Sequence, residues 1–133
     1  MYALAQQSTE VLTVYIVDDD ESVRTALSRL MRSAGIESRA YGRSERFLAE
    51  VSNDGHACIL MDITMPRMNG MELVVQLKNK GIAIPVIAIS ARDDDETRQL
   101  AQDLGVRFFM RKPVDDQALI DAINWVTQET RSP

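Results

Sequence analysis

Short apolar runs alternate with segments of helical period five times along this chain, and that alternation restricts the fold more than any other feature. Four are Val14-Tyr15-Ile16-Val17, Ala57-Cys58-Ile59-Leu60-Met61, Val86-Ile87-Ala88-Ile89 and Phe108-Phe109-Met110, and a short strand is expected around Ile36 to Tyr41. A strand buried on both faces reads as a continuous apolar run rather than an alternating one, which is the pattern of a parallel sheet. Parallel neighbours need a crossover, usually a helix, and such crossovers are right-handed. The expectation is an α/β protein of (βα)5 type, a doubly wound parallel five-stranded sheet with helices on both faces.

The helical segments carry their own marks. Val23, Ala26, Leu27, Leu30, Met31 and Ala34 recur at i, i+3, i+4, i+7 spacing, and Gly35 stops that helix. Ser44 marks the start of a small helix with Phe47, Leu48 and Val51 on its apolar side. Leu73, Val74 and Leu77 line the third helix, ended by Gly81 before Pro85 opens the fourth strand. Thr97, Leu100, Ala101 and Leu104 mark the fourth, stopped by Gly105, and Leu119, Ile120, Ile123 and Val126 the fifth. The chain has 133 residues, enough for one core. The reading is a flexible leader over 1–10, one domain over 11–130 and the start of a linker or tail at 131–133.

A net charge of −5 argues against direct nucleic-acid contact, which rests on a basic surface. No apolar stretch approaches the ~18 residues of a membrane span. The first ten residues lack the basic and apolar regions of a secretory signal, so a cytoplasmic setting is expected. Cys58, alone in an apolar run, reads as a buried, reduced core residue. His56 has no second ligand-type residue at metal spacing and reads as structural or exposed.

Polar residues stand at the ends of four of the five runs: Asp18 and Asp19, Asp62, Ser90 and Lys112. In open α/β sheets ligands bind beyond the carboxyl ends of the strands, so residues more than ninety positions apart would meet in one pocket. Three carboxylates held together repel one another unless a cation sits among them. Oxygen donors in a small cluster suit Mg²⁺, which keeps several waters and takes a phosphate oxygen besides. Lys112 would add positive charge opposite the metal, and together they would offset a transferring phosphoryl group. Asp62 is the natural nucleophile, since a carboxylate can form an acyl phosphate. Ser90 could donate its hydroxyl to a phosphoryl oxygen. Each signal has a plainer alternative: Asp20 and Glu21, and the run Asp93 to Glu96, read as acids favoured at helix N-termini, and Met65, Met68 and Met71 as packing. The joint placement at separate strand ends carries the inference.

These residues resemble the receiver domain of two-component response regulators, from about Leu12 to Thr130. Val17-Asp18-Asp19-Asp20 is similar to the family's acidic pair after the first strand. The stretch from Asp62 through Met65, Pro66, Asn69 and Gly70 is similar to its phospho-acceptor loop. Ile89-Ser90-Ala91 resembles its switch hydroxyl and the small residue after it, and Lys112-Pro113 its lysine–proline pair. The resemblance implies a flavodoxin-like strand order, 2-1-3-4-5. It also implies Asp62 as acceptor from a sensor histidine kinase or a small phosphodonor. Mg²⁺ would be held by Asp19, Asp62 and the Thr64 backbone carbonyl, with Asp18 acting through water.

Further implications are Lys112 contact with the phosphoryl group, a cis bond before Pro113, and a switch through Ser90 and Phe109. Thr64 and Arg92 would lie near the path of the water that removes the group. Output would run through the face of the fourth helix, fifth strand and fifth helix, by phosphorylation-dependent homodimerisation or a covalently linked output domain that controls transcription. Arg92, Arg107 and Arg111, against Asp93 to Glu96, would supply ion pairs there. The chain departs from many members at Phe109, where tyrosine is common, so an inward state would be held by packing without a hydroxyl. The domain would be a signalling acceptor, not an enzyme.

Rival readings have specific requirements. A haloacid-dehalogenase-type phosphatase needs a carboxylate two residues after its nucleophile, where this chain has Thr64. A flavin or nucleotide carrier wants a Gly- or Ser/Thr-rich phosphate loop after the first strand, where this chain has aspartates. A phosphorylation-independent interaction module on the same fold is the remaining alternative.

Overall fold

The computed structural model describes residues 11–53, 55–64 and 70–131, and the statements below concern those residues. The expected leader, the loop residues Met65 to Asn69 and the last two residues lie outside them. Strands β1 (Leu12–Val17), β2 (Glu37–Tyr41), β3 (His56–Asp62), β4 (Val86–Ser90) and β5 (Phe108–Arg111) alternate with helices α1 (Glu21–Ser33), α2 (Ser44–Glu50), α3 (Gly70–Asn79), α4 (Asp95–Leu104) and α5 (Asp116–Arg131). The strands form one sheet in the order β2-β1-β3-β4-β5, every pair parallel.

Side chains alternate across this sheet, and the alternation builds two cores. Val14, Ile16, Cys58, Leu60, Ile87 and Ile89 pack with Leu27 and Met31 of α1 and Leu119, Ile123 and Val126 of α5. Tyr15, Val17, Ile59, Met61 and Ala88 pack on the other face with Phe47 of α2, Leu73, Val74 and Leu77 of α3, and Ala101 and Leu104 of α4. The two central strands β1 and β3 are buried from Val14 and Ala57 onward, as their apolar runs require. At the edge, Glu37, Arg39 and Ala40 of β2 are exposed, so that strand is set by its pairing with β1 rather than by burial.

Helix ends follow local chemistry. Asp20 caps α1, its carboxylate accepting from the Ser22 N–H at 2.9 Å and the Ser22 hydroxyl at 2.7 Å. Asp94 caps α4 by accepting from the Thr97 N–H at 2.8 Å. Gly35, Gly81 and Gly105 stand just past helix ends at φ of 72, 75 and 73°, a region that costs other residues a Cβ clash. Ser44 opens α2 as expected, but as its first helical residue, and Arg43 before it takes the cap position without a side-chain hydrogen bond. Its hydroxyl meets the neighbouring Glu45 carboxylate instead, at 3.3 Å. His56 opens β3 and bonds through Nε2 to the Thr127 carbonyl at 3.0 Å, a structural tie to α5. Cys58 is buried, and burial pushes its thiol up to about 12, so it is inert at neutral pH.

Candidate functional site

Register brings the strand ends together. Val17 pairs with Met61, so Asp18 and Asp62 follow side by side; Asp62 pairs with Ile89, and Ser90 with Arg111, so Ser90 and Lys112 come next along the same rim. Continuing the alternation of each strand puts Asp62 on the α1/α5 side with Asp18 and Lys112, and Ser90 on the α4 side with Phe109. The hydrogen bonds agree with that division. The Lys112 ammonium donates to Asp18 Oδ2 at 2.8 Å and to Asp62 Oδ2 at 2.6 Å. The other oxygen of Asp62 accepts from the Thr64 N–H at 2.8 Å and the Thr64 hydroxyl at 3.0 Å. Thr64 Oγ1 in turn lies 2.9 Å from Ser90 Oγ, which accepts the Arg92 N–H at 3.0 Å. One polar chain therefore runs Asp18–Lys112–Asp62–Thr64–Ser90 across the rim.

Burial makes this chain electrostatically demanding. Asp18 and Ser90 are wholly enclosed and Asp62 is 6% exposed. Burial raises the Asp18 carboxyl above its ordinary range, and the hydrogen bond from Lys112 only partly opposes this. Desolvation also works against the Lys112 charge, but the bonds to Asp18 and Asp62 outweigh it, and its pKa rises. The ammonium thus sits between the two carboxylates and offsets their repulsion. Sequence reasoning placed Lys112 opposite a metal; here it occupies the junction itself. Among the described residues no three His, Cys, Asp or Glu side chains close into a ready metal cage.

The donors nonetheless suit Mg²⁺ in kind. Asp19, half-buried beside Asp18, adds a carboxylate, and Asp18, Asp62 and the Thr64 carbonyl are hard oxygen donors without nitrogen or sulfur.

The remaining sequence-predicted residues are distributed around this chain. The Lys112–Pro113 peptide bond is cis, and the Lys112 N–H bonds to the Ser90 carbonyl at 2.8 Å, tying β5 to β4 at the rim. Phe109 pairs with Ala88 in the sheet and packs at the border of the α2/α3/α4 core, the Arg98 guanidinium 5.5 Å above its ring. Arg92 bonds Asp94 through Nε and Nη2 at 3.1 and 2.8 Å, and Arg98 holds Asp93 at 2.5 Å. Two of the four acids from 93 to 96 are thus engaged within the chain. Hydrogen bonds from Thr97 and Arg92 hold the Asp94 carboxyl down at about 2.

Sequence reasoning missed two groups. The Thr64 hydroxyl links Asp62 to Ser90, a role beyond the carbonyl and the place near the water path that the sequence suggests. Arg24 donates through Nη1 to the Asp18 carbonyl at 2.7 Å. A β-hydroxyl two residues after Asp62 is a legible signal for the first; the second depends on how the Arg24 side chain turns back over β1 and leaves no motif.

Comparison with known proteins gives a consistent result. A family model described as the response regulator receiver domain matches residues 14–124. The response regulator protein TodT of Pseudomonas putida is 35% identical over 120 residues, covering 90% of this chain and 53% of that protein. The transcriptional regulatory protein FixJ of Azorhizobium caulinodans is 33% identical over 114 residues, covering 86% of this chain and 54% of its own. Among solved structures, response regulator StyR superposes with a TM-score of 0.79 at 39% identity, covering 89% of this chain and 60% of that one. The chain spans about half the length of the curated relatives it matches.

Proposed function

This chain belongs to the response regulator receiver domain family, and from that premise we propose that Asp62 is its phospho-acceptor, taking a phosphoryl group from a sensor histidine kinase. The observation that carries this reading is the Lys112 ammonium, bonded at once to Asp62 and Asp18 where the strands end. A carboxylate oxygen of Asp62 attacks phosphorus, the bond from phosphorus to the donor imidazole nitrogen breaks, and an acyl phosphate forms. The attacking oxygen exchanges a hydrogen bond to Lys112 or Thr64 for the new bond. Lys112 remains protonated and stays close enough to bind a phosphoryl oxygen. Asp19, Asp62 and the Thr64 carbonyl would hold Mg²⁺, with Asp18 through water. When bound, the metal supplies positive charge that offsets the phosphoryl oxygens.

Switching follows on the Ser90 side. A phosphoryl group on Asp62 offers Ser90 Oγ a charged acceptor in place of Thr64 Oγ1. One such bond is worth roughly 1.5–3 kcal/mol, whereas inverting a two-state population takes about 5.5 kcal/mol. Ser90 therefore shares the shift with Lys112, repacking of Phe109 and a partner's binding. The partners we assign are the kinase and an output domain controlling transcription, reached through the α4-β5-α5 face, with phosphorylation-dependent homodimerisation as one route. Outside contact with nucleic acid would fall to that output domain. No helix among the described residues is long and apolar enough to cross a membrane, and the setting we assign is cytoplasmic.

Intact mass after incubation with acetyl phosphate tests the reading. A single phosphoryl adduct that needs Mg²⁺ and disappears in Asp62→Asn is the expected result. An adduct that persists in Asp62→Asn would remove Asp62 as acceptor, and none in any protein would leave an interaction module independent of phosphorylation.

A further inference from the structure

Asp18 is held by its backbone as well as by its carboxylate. Its N–H donates to the Tyr41 carbonyl at 3.1 Å and its Oδ1 accepts the Asp20 N–H at 3.0 Å. Its own carbonyl receives Arg24 Nη1 at 2.7 Å, a contact with no part in the chemistry above. Arg24 lies in the first turn of α1, its N–H bonded to the Asp20 carbonyl, and its side chain turns back over the junction of β2 and α2. There it passes over Gly42. A Cβ built on Gly42 would stand 2.7 Å from Arg24 Nη1 and 2.9 Å from Cζ, closer than non-bonded atoms tolerate. Gly42 is not among the positive-φ glycines, so its backbone does not require glycine; the guanidinium above it does.

We propose that Arg24, seated on the bare Cα of Gly42, is a positioning residue that fixes the Asp18 carbonyl and so presents the Asp18-Asp19 loop to Mg²⁺ and to Lys112. The inference rests on the functional reading above for its metal, but the geometry it invokes lies wholly in this chain. A charged hydrogen bond to a loop carbonyl limits rotation of the peptide that joins Asp18 to Asp19. Both carboxylates are carried on that peptide's flanks, so their separation follows its orientation. The obstructing atoms at Gly42 are the far end of a flexible side chain. Gly42→Ala is therefore expected to fold and to push the guanidinium off Asp18, reproducing the loss of Arg24 from a distance.

The test compares wild type, Arg24→Gln, Gly42→Ala and the double variant as full chains. Calorimetric titration with Mg²⁺ and amide exchange at Asp18 and Asp19 are read together with thermal unfolding. Each single change is expected to weaken Mg²⁺ binding about tenfold, the lower end for a group that orients ligands without touching the metal. Amide exchange at Asp18 should quicken in both. The double variant should bind no more weakly than Arg24→Gln, because alanine at position 42 obstructs nothing once the guanidinium is gone. Arg24→Lys should recover part of the affinity. Wild-type affinity in both single variants, or losses that multiply in the double, would overturn the proposal. If wild type bound no Mg²⁺ and took no phosphoryl group, the functional reading would fail by itself. Asp18 exchange would then decide the positioning role: faster in both single variants and no faster in the double supports it, and unchanged exchange refutes it.

Discussion

The two layers that cover the sheet differ in both composition and reach. On one side α1 and α5, of 13 and 16 residues, press Leu27, Met31, Leu119, Ile123 and Val126 onto aliphatic strand residues. On the other α2, α3 and α4 have 7, 10 and 10 residues, and the aromatic rings of Tyr15, Tyr41 and Phe47 meet at centroid distances of 5.6 to 6.4 Å. The functional chain divides along the same line. Asp18, Lys112 and Asp62 belong to the long-helix side, Ser90 and Phe109 to the short-helix side. The groups to which we assign the transfer thus rest on the layer of two long helices, and those to which we assign the switch on the layer of three shorter ones. A switch requires such a difference, since the transferring groups must keep their geometry while the reporting groups change theirs.

The largest test of that division is Lys112→Met. It leaves the enclosed Asp18 carboxylate without its ammonium, and losing one member of a buried pair costs about 3–5 kcal/mol. Urea unfolding should show a loss near the lower figure, since Lys112 keeps 18% side-chain exposure. Adding Asp18→Asn should restore part of it by removing the wholly enclosed charge, while Asp62 keeps its hydrogen bonds from Thr64. A double variant as unstable as Lys112→Met would mean that the lysine acts by packing. Next is Ile123→Ala, at the fully buried centre of the aliphatic layer, where truncation costs about 2–5 kcal/mol. Loss of less than about 1 kcal/mol there would erase the contrast between the layers.

How much of this was legible in the sequence depends on where each signal comes from. Burial writes itself into composition, so β1, β3 and β4 could be read directly from Val14-Tyr15-Ile16-Val17, Ala57 to Met61 and Val86 to Ile89. The Ser38-Arg39-Ala40 centre of β2 carries no such mark because its position is set by neighbours. Convergence of Asp18, Asp62, Ser90 and Lys112 was legible because parallel strands share a carboxyl end. Which of the adjacent Asp18 and Asp19 lies inside was not, since that depends on the phase of β1 carried one residue past its end. Arg24 and Gly42 were invisible for a related reason: a guanidinium on a carbonyl and a Cβ that would not fit are contacts between elements, without local spacing.

A smaller effect separates the layers by pH. Burial and the bond to Glu50 push the Tyr41 hydroxyl from 10.0 up to about 12. Between those values the unfolded chain ionises its tyrosine while the folded one does not. The contribution is therefore complete below pH 10 and is lost as pH rises towards 12. Tyr41→Phe should remove this part of the alkaline loss, leaving the part due to Cys58, which lies in the other layer and is unchanged by the substitution. Parallel unfolding curves for the two proteins across that range would show that the hydroxyl bond does not anchor α2.

The smallest effect is the most informative about the adjustable layer. Arg98 covers Phe109 at 5.5 Å from the ring centroid and holds Asp93 beside the α4 cap. Both contacts are exposed on the arginine side, so Arg98→Ala should cost no more than about 1 kcal/mol. Its consequence should be local. Amide exchange is expected to quicken across Asp95–Leu104, which carries Arg98 and its contact with Phe109, and to stay unchanged across Asp116–Arg131. Equal acceleration in α4 and α5 would mean that the two layers open together as one unit. Acceleration confined to α4 would show that the short-helix layer can loosen around Phe109 while Asp18, Lys112 and Asp62 stay in place.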